Sequence, residues 1–139
     1  MDEATLAYFA GFFDGEGSVG LYDTRHRKQP QFRVSLCNNI VTPLELVKEL
    51  FGGSIRKRVR PYKTKVSINF EWYVHGHNAE EFLEAIRPYL MVKAKQVDVF
   101  LGARLELNGS GGGPLSEAQW EALAEAECIL KSLKQEVSS

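Results

Sequence analysis

Nearly every residue from Leu6 to Asp14 (LAYFAGFFD) is apolar or small. A helix of that composition has no polar face to give to water, so it must be buried on most sides. Gly15, Gly17 and Gly20 interrupt the pattern, and Ser18 to Tyr22 then reads as a strand. Gln31 to Cys37 alternates, with Phe32, Val34 and Leu36 on one face and Arg33, Ser35 and Cys37 on the other. Thr42, as a cap, and Pro43, in the first turn, open a helix over Leu44 to Phe51 that Gly52 and Gly53 stop. Ser54 to Arg60 alternates again: Arg56, Arg58 and Arg60 share one face, Ile55, Lys57 and Val59 the other. Lys65 to Val74 turns Val66, Ile68, Phe70, Trp72 and Val74 inward and Ser67, Asn69, Glu71 and Tyr73 outward. Asn78, read as a cap, begins a helix to Ile86, and Pro88 begins a second helical stretch that ends near Leu107. A flexible link (NGSGGG, from Asn108 to Gly113) follows. Ser116 then caps a last amphipathic helix with Glu117 and Gln119 in its first turn.

This order, αββαββαα plus a terminal helix, predicts an α+β fold. Four strands form an antiparallel sheet with helices on one side only and an open polar face on the other. The chain's 139 residues, 44% of them hydrophobic, suit one folded core. Its expected organisation is a core over 1–108, a Gly-rich link over 109–114 and a C-terminal helix over 115–139 packed on the core. No stretch approaches the roughly 20 apolar residues of a membrane helix. Two cysteines, Cys37 and Cys128, are too few for a disulfide framework, and no signal peptide opens the chain. The expected setting is therefore intracellular: bacterial or phage cytoplasm, or an organelle.

A net charge of −1 and a pI near 6.3 argue mildly against a nucleic-acid partner. The distribution changes that. Residues 25–65 hold eleven Lys and Arg against two Glu, a local charge of +9. Residues 1–24 and 115–136 each hold five acids. Basic runs often belong to solvated loops, but here many of the bases fall within strands. Arginines two apart on a strand stand about 7 Å from each other, so several can follow a DNA groove together. Candidate base readers on the open face are Tyr22 and Thr24, then Gln31, Arg33 and Ser35. Arg56, Arg58 and Arg60 follow on the third strand, and Ser67, Asn69 and Tyr73 on the fourth. Arg25, Arg27, Lys28, Lys57 and Lys63 are candidates for phosphate. His75 and His77 lack a third ligand and do not make a zinc site.

The first helix carries the chemistry. Ala7, Ala10, Gly11 and Gly15 are small residues along one stripe, which lets two helix backbones approach closely. The simplest partner is the same helix of a second subunit about a two-fold axis, with Ala7, Ala10, Gly11 and Asp14 at the interface. Asp14 is expected to hydrogen-bond local backbone. Glu16 projects past the helix end, where backbone carbonyls are partially negative. A carboxylate there is unfavourable without a cation, and oxygen donors plus phosphate suit Mg²⁺.

Phe9-Ala10-Gly11-Phe12-Phe13-Asp14-Gly15-Glu16-Gly17 resembles the nine-residue signature of the LAGLIDADG homing endonucleases. The element order, the Leu50-to-Ile55 junction (LFGGSI), the Arg87-Pro88-Tyr89-Leu90 segment with Lys93 and Lys95, and the Gly-rich link agree with it. The resemblance implies a single-motif, homodimeric, site-specific endonuclease cutting both strands of a long pseudo-palindromic DNA site, a product of mobile introns or related elements. It implies that Glu16 and the Gly15 carbonyl bind Mg²⁺, with Mn²⁺ or Ca²⁺ able to substitute for binding. It assigns Lys93 to charge stabilisation at the phosphate, with Lys95 as the alternative and otherwise a DNA contact. Asn38, or Asn39 in its place, would order water. A regulator or intron maturase binding DNA or RNA on the same scaffold is the competing reading.

Overall fold

The computed structural model describes residues 2–22, 31–62, 64–107 and 115–138. Helix α1 spans Glu3–Glu16, longer than the apolar run, because the Asp2 carboxylate accepts from the Thr5 amide at 2.8 Å and caps it. Strands β1 (Gly17–Tyr22) and β2 (Gln31–Asn38) follow, then α2 (Thr42–Phe51), β3 (Ser54–Tyr62) and β4 (Lys65–His75). Next come α3 (Gly76–Ile86), a 3₁₀ turn (Arg87–Tyr89), α4 (Ala94–Leu107) and α5 (Glu117–Ser138). The strands form one antiparallel sheet in the order β1-β2-β4-β3. The α+β architecture expected from the alternation is the one observed.

The helices lie against the face that carries Val19, Leu21, Phe32, Val34, Leu36, Trp72 and Val74, all buried. Phe82 of α3 is the hub beneath them, its ring 5.0 Å from Trp72, 5.1 Å from Phe51 and 6.0 Å from Phe13, each edge to face. The Trp72 indole N–H donates to the Gly52 carbonyl at 2.8 Å, so the α2–β3 junction is tied to the centre of β4.

Four local expectations change. Val41, not Thr42, holds the cap position of α2, and Thr42 and Pro43 lie inside its first turn. Asn78 does not cap α3: Gly76, at φ 60°, turns the chain from strand to helix two residues earlier. Helix α4 starts at Ala94 rather than Pro88, because residues 91–93 are drawn into an arc around Asp14. On the apolar side of the β3–β4 hairpin, Val59, Val66 and Ile68 are 54%, 64% and 45% exposed, since the hairpin outruns the helices that would cover it. Alternation marks a face; it does not say how far the core extends along it.

Helix α5 docks through Leu123, Ala126 and Leu130 against α4 and β1. Cys128 on the same helix is exposed. The Gly-rich link falls outside the described residues.

Candidate active site and nucleic-acid interface

Glu16 ends α1 and is exposed, and Gly17 closes the helix with its amide on the Phe13 carbonyl. The Phe13 ring packs so tightly on Gly17 that a Cβ there would collide with it, so the turn from helix to strand beside Glu16 needs glycine. The other motif carboxylate has a different fate. Asp14 accepts from three successive amides, Met91 at 2.8 Å, Val92 at 3.1 Å and Lys93 at 3.0 Å. Its backbone partners are far along the chain, not local as expected. Asp14 acts as a cap delivered by α1 to the segment entering α4.

That cap sets the position of Lys93. Its ammonium donates to the Gly17 carbonyl. Burial pushes its pKa down, against the opposing pull of Asp14 and Glu16, while Lys134 adds to the depression. Lys93 therefore stands half-buried in the field of Glu16, whereas Lys95 is exposed on the first turn of α4. An open cavity of about 310 Å³ begins at Glu16 and is lined by Cys37, Asn38, Asn39, Ser67, Ile68 and Asn69. Asn38 Oδ1 accepts from the Ile40 amide at 3.0 Å, so that side chain shapes a local turn; Asn39 is exposed. The structure thus gathers Glu16, Lys93 and Asn38 at one end of the sheet.

A hard divalent cation fits the donors at α1's end, which are oxygen only: the exposed Glu16 carboxylate and backbone carbonyls. Asp14 is spent on its three amides. Among the described residues no group of three or more His, Cys, Asp or Glu could hold a metal. One chain alone therefore offers too few ligands, and phosphate or a second chain would have to supply the rest.

The open sheet face carries Gln31, Arg33, Ser35 and Cys37 from β2, Arg56, Arg58 and Arg60 from β3, and Ser67, Asn69, Glu71, Tyr73 and His75 from β4. Tyr22 occupies a register position on this face, opposite Gln31. Thr24, Arg25, Arg27, Lys28 and Lys63 lie outside the described residues. Gln31 meets His75, 3.0 Å between side-chain nitrogens, and burial together with the Arg33 charge pushes the His75 pKa down. His77 pairs instead with Glu81 at 3.1 Å, so the two histidines face different partners.

Glu71 is the residue that sequence reasoning passed over. It is 7% exposed at the centre of the polar face and gathers three guanidinium groups. The signal was available: Glu71 is the lone acid among the outward positions of β4 inside a basic sheet, and a buried carboxylate there needs partners.

Ala7, Gly11 and Gly15 are exposed along α1, and space is open beyond the Gly11 and Gly15 backbone. Ala10 is not on this stripe. It is wholly buried on the core side with Phe9 and Phe13, which corrects its expected place at an interface. Ala4 and Tyr8 are exposed instead, and with Ala7, Gly11 and Gly15 they fall within an arc of about 100° on the helix wheel.

Residues 9–103 match the model of the LAGLIDADG endonuclease family. Among curated proteins, an intron-encoded RNA maturase, bI4, of Saccharomyces cerevisiae is 38% identical over 50 residues, 35% of this chain. The match spans only 8% of that protein's length. Among solved structures, the archaeal intron-encoded homing endonuclease I-Vdi141I complexed with DNA superposes with a TM-score of 0.74 at 19% identity, over 96% of this chain and 86% of that one. The homing endonuclease I-CvuI, in complex with its target in the presence of 2 mM Ca, gives 0.66 at 20% over 95% and 81%. The LAGLIDADG meganuclease I-AabMI bound to uncleaved DNA gives 0.68 at 15%, over 90% of this chain and 44% of that one. At these identities the structural likeness is one of fold.

Proposed function

The chain belongs to the LAGLIDADG endonuclease family, and from that premise we propose that it cuts both strands of a DNA duplex at a specific, pseudo-palindromic site as a homodimer. The observation that carries this reading is the convergence of Glu16 and Lys93 at one end of an arginine-rich sheet, although they stand 77 positions apart in the chain. Glu16 and the Gly15 carbonyl would hold Mg²⁺, which supplies a water of lowered pKa and charge neutralisation at the phosphate. The ammonium of Lys93, anchored on the Gly17 carbonyl, adds positive charge for the phosphate as negative charge develops there. Asp14 keeps that lysine in place by holding its backbone. The sheet face selects the sequence, and its basic residues orient the duplex over the site.

One motif per chain serves one strand, so two cuts need two chains. The exposed small-residue stripe of α1 supports that pairing.

A second reading, an RNA-binding intron maturase, is favoured by the yeast relative. Incubation with randomised plasmid libraries and Mg²⁺, followed by sequencing of the ends, separates the two. The endonuclease reading expects a discrete family of cut sites, lost in Glu16→Gln while duplex binding persists. Cleavage retained in Glu16→Gln removes Glu16 from the mechanism. Wild-type protein that leaves every plasmid intact but binds folded RNA supports the maturase.

A further inference from the structure

Three guanidinium groups converge on one carboxylate in the middle of the open sheet face. Arg33 Nη2 and Arg56 Nη2 each lie 2.7 Å from Glu71 Oε1, and Arg58 Nη1 lies 3.7 Å from Oε2. The arginines come from both strands that flank β4. Arg56 stands directly opposite Glu71 in register and Arg58 two pairs further along β3, opposite Asn69. Arg33 pairs with His75 and reaches back along the sheet across the Tyr73 ring, its guanidinium 4.7 Å from the ring centroid. Arg56 lies 5.7 Å from the same ring. The Glu71 side chain is 9% exposed, while those of Arg33, Arg56 and Arg58 are 24%, 51% and 29% exposed.

We propose that Glu71 is a positioning residue that fixes Arg33, Arg56 and Arg58 as one cluster aimed at guanine-bearing base pairs rather than at phosphates. This deepens the DNA-endonuclease reading and rests on it. Three cations gathered without a counter-charge repel one another and swing outward, where a flexible guanidinium meets the nearest phosphate. Glu71 supplies that counter-charge from beneath and leaves the cluster a net positive charge. Each arginine gives the carboxylate one terminal nitrogen of a five-donor fork, so each fork keeps donors that Glu71 does not use. Those donors suit the O6 and N7 acceptors of guanine in a major groove. The side-chain ordering that base readout requires is met before DNA arrives. Glu71 is too covered to accept from a base itself.

The test compares wild type, Glu71→Gln and Glu71→Asp by selection from a randomised duplex library, with Kd for the best and for scrambled duplexes at several salt concentrations. Glu71→Gln should lose about tenfold in discrimination at the guanine positions the wild type prefers. It should bind scrambled duplex at least as tightly as wild type, with a steeper salt dependence. Glu71→Asp keeps the charge but withdraws it by one methylene, so discrimination should fall while the salt dependence stays. A merely structural role would weaken best and scrambled duplexes equally and lower the melting temperature. That result, or unchanged base preference in a folded variant, overturns the proposal. If Glu71→Gln does not fold, Glu71→Asp decides alone. A wild type that binds no duplex refutes the DNA-endonuclease reading along with this inference, whereas selective wild-type binding with unaltered variants refutes only the inference.

Discussion

Two carboxylates and one glycine show how much single positions carry. Asp14 and Glu16 are two residues apart, yet one is consumed by three backbone amides and the other is left facing the cavity. Sequence alone marks both as special and separates their roles, but it cannot supply Asp14's partners, because residues 91–93 come near only through the fold. Gly53 is similar. The run Leu50-Phe-Gly-Gly-Ser-Ile55 is legible as a helix stop. The reason the stop must be glycine lies in β4: Gly53 sits at φ 90°, and a Cβ there would approach the Tyr73 carbonyl oxygen to 2.6 Å and the Trp72 indole nitrogen to 2.8 Å. Gly53→Ala therefore meets both a left-handed backbone and a rigid wall, and should cost about 2 kcal/mol or more of stability. Urea unfolding should show a lower midpoint at unchanged slope; a midpoint within error of wild type would mean the junction relaxes freely.

At the scale of elements, apolar runs, alternation and turn residues together identified the α-helices and strands of the described residues, and their blind spot was coverage. Val59, Val66 and Ile68 obey the inward phase of their strands but extend past the helices into water. Only the length of the hairpin against that of the helices beneath it could have revealed this. Helix α5 was the more readable case. Ser116 and Gln119 form a reciprocal cap, Ser116 Oγ accepting from the Gln119 amide at 3.2 Å and Gln119 Oε1 from the Ser116 amide at 2.9 Å. The Gln119 side-chain nitrogen also donates to the Glu106 carbonyl at 2.9 Å, so the start of α5 is stitched to the last turn of α4. Leu123, Ala126 and Leu130 then enter the core along one stripe. Leu123→Ala should destabilise the protein by about 2–4 kcal/mol, the range for an aliphatic side chain removed from a packed site. Ser116→Ala should cost about 1 kcal/mol through the cap. Chemical denaturation followed by circular dichroism measures both. A loss below about 0.5 kcal/mol for Leu123→Ala, the usual range for surface changes, would show that α5 is only loosely seated.

For the whole molecule, the near-zero net charge is an average over two opposed surfaces, a basic sheet face and acidic helices. What a polyanion meets is the sheet, and what the helices leave uncovered is the outer stripe of α1. Ala4, Ala7, Tyr8, Gly11 and Gly15 are exposed there, in a helix that carries no basic residue and keeps its acids, Glu3, Asp14 and Glu16, at its two ends. Such a surface gives water little to solvate, and its small side chains would let a second helix come close. Gly11 is the place to test this, because nothing within 4 Å would meet an added Cβ in the single chain. Gly11→Leu should therefore leave the monomer folded, with helix propensity improved, while it pushes apart any helix packed on that face. Sedimentation should find wild type as a dimer on DNA and Gly11→Leu as a monomer. Double-strand cleavage should fall at least 100-fold in the variant, because each scissile phosphate would need its own Glu16. If Gly11→Leu assembled and cut like wild type, α1 could not be the contact between chains, and the second Glu16 would have to arrive by another surface.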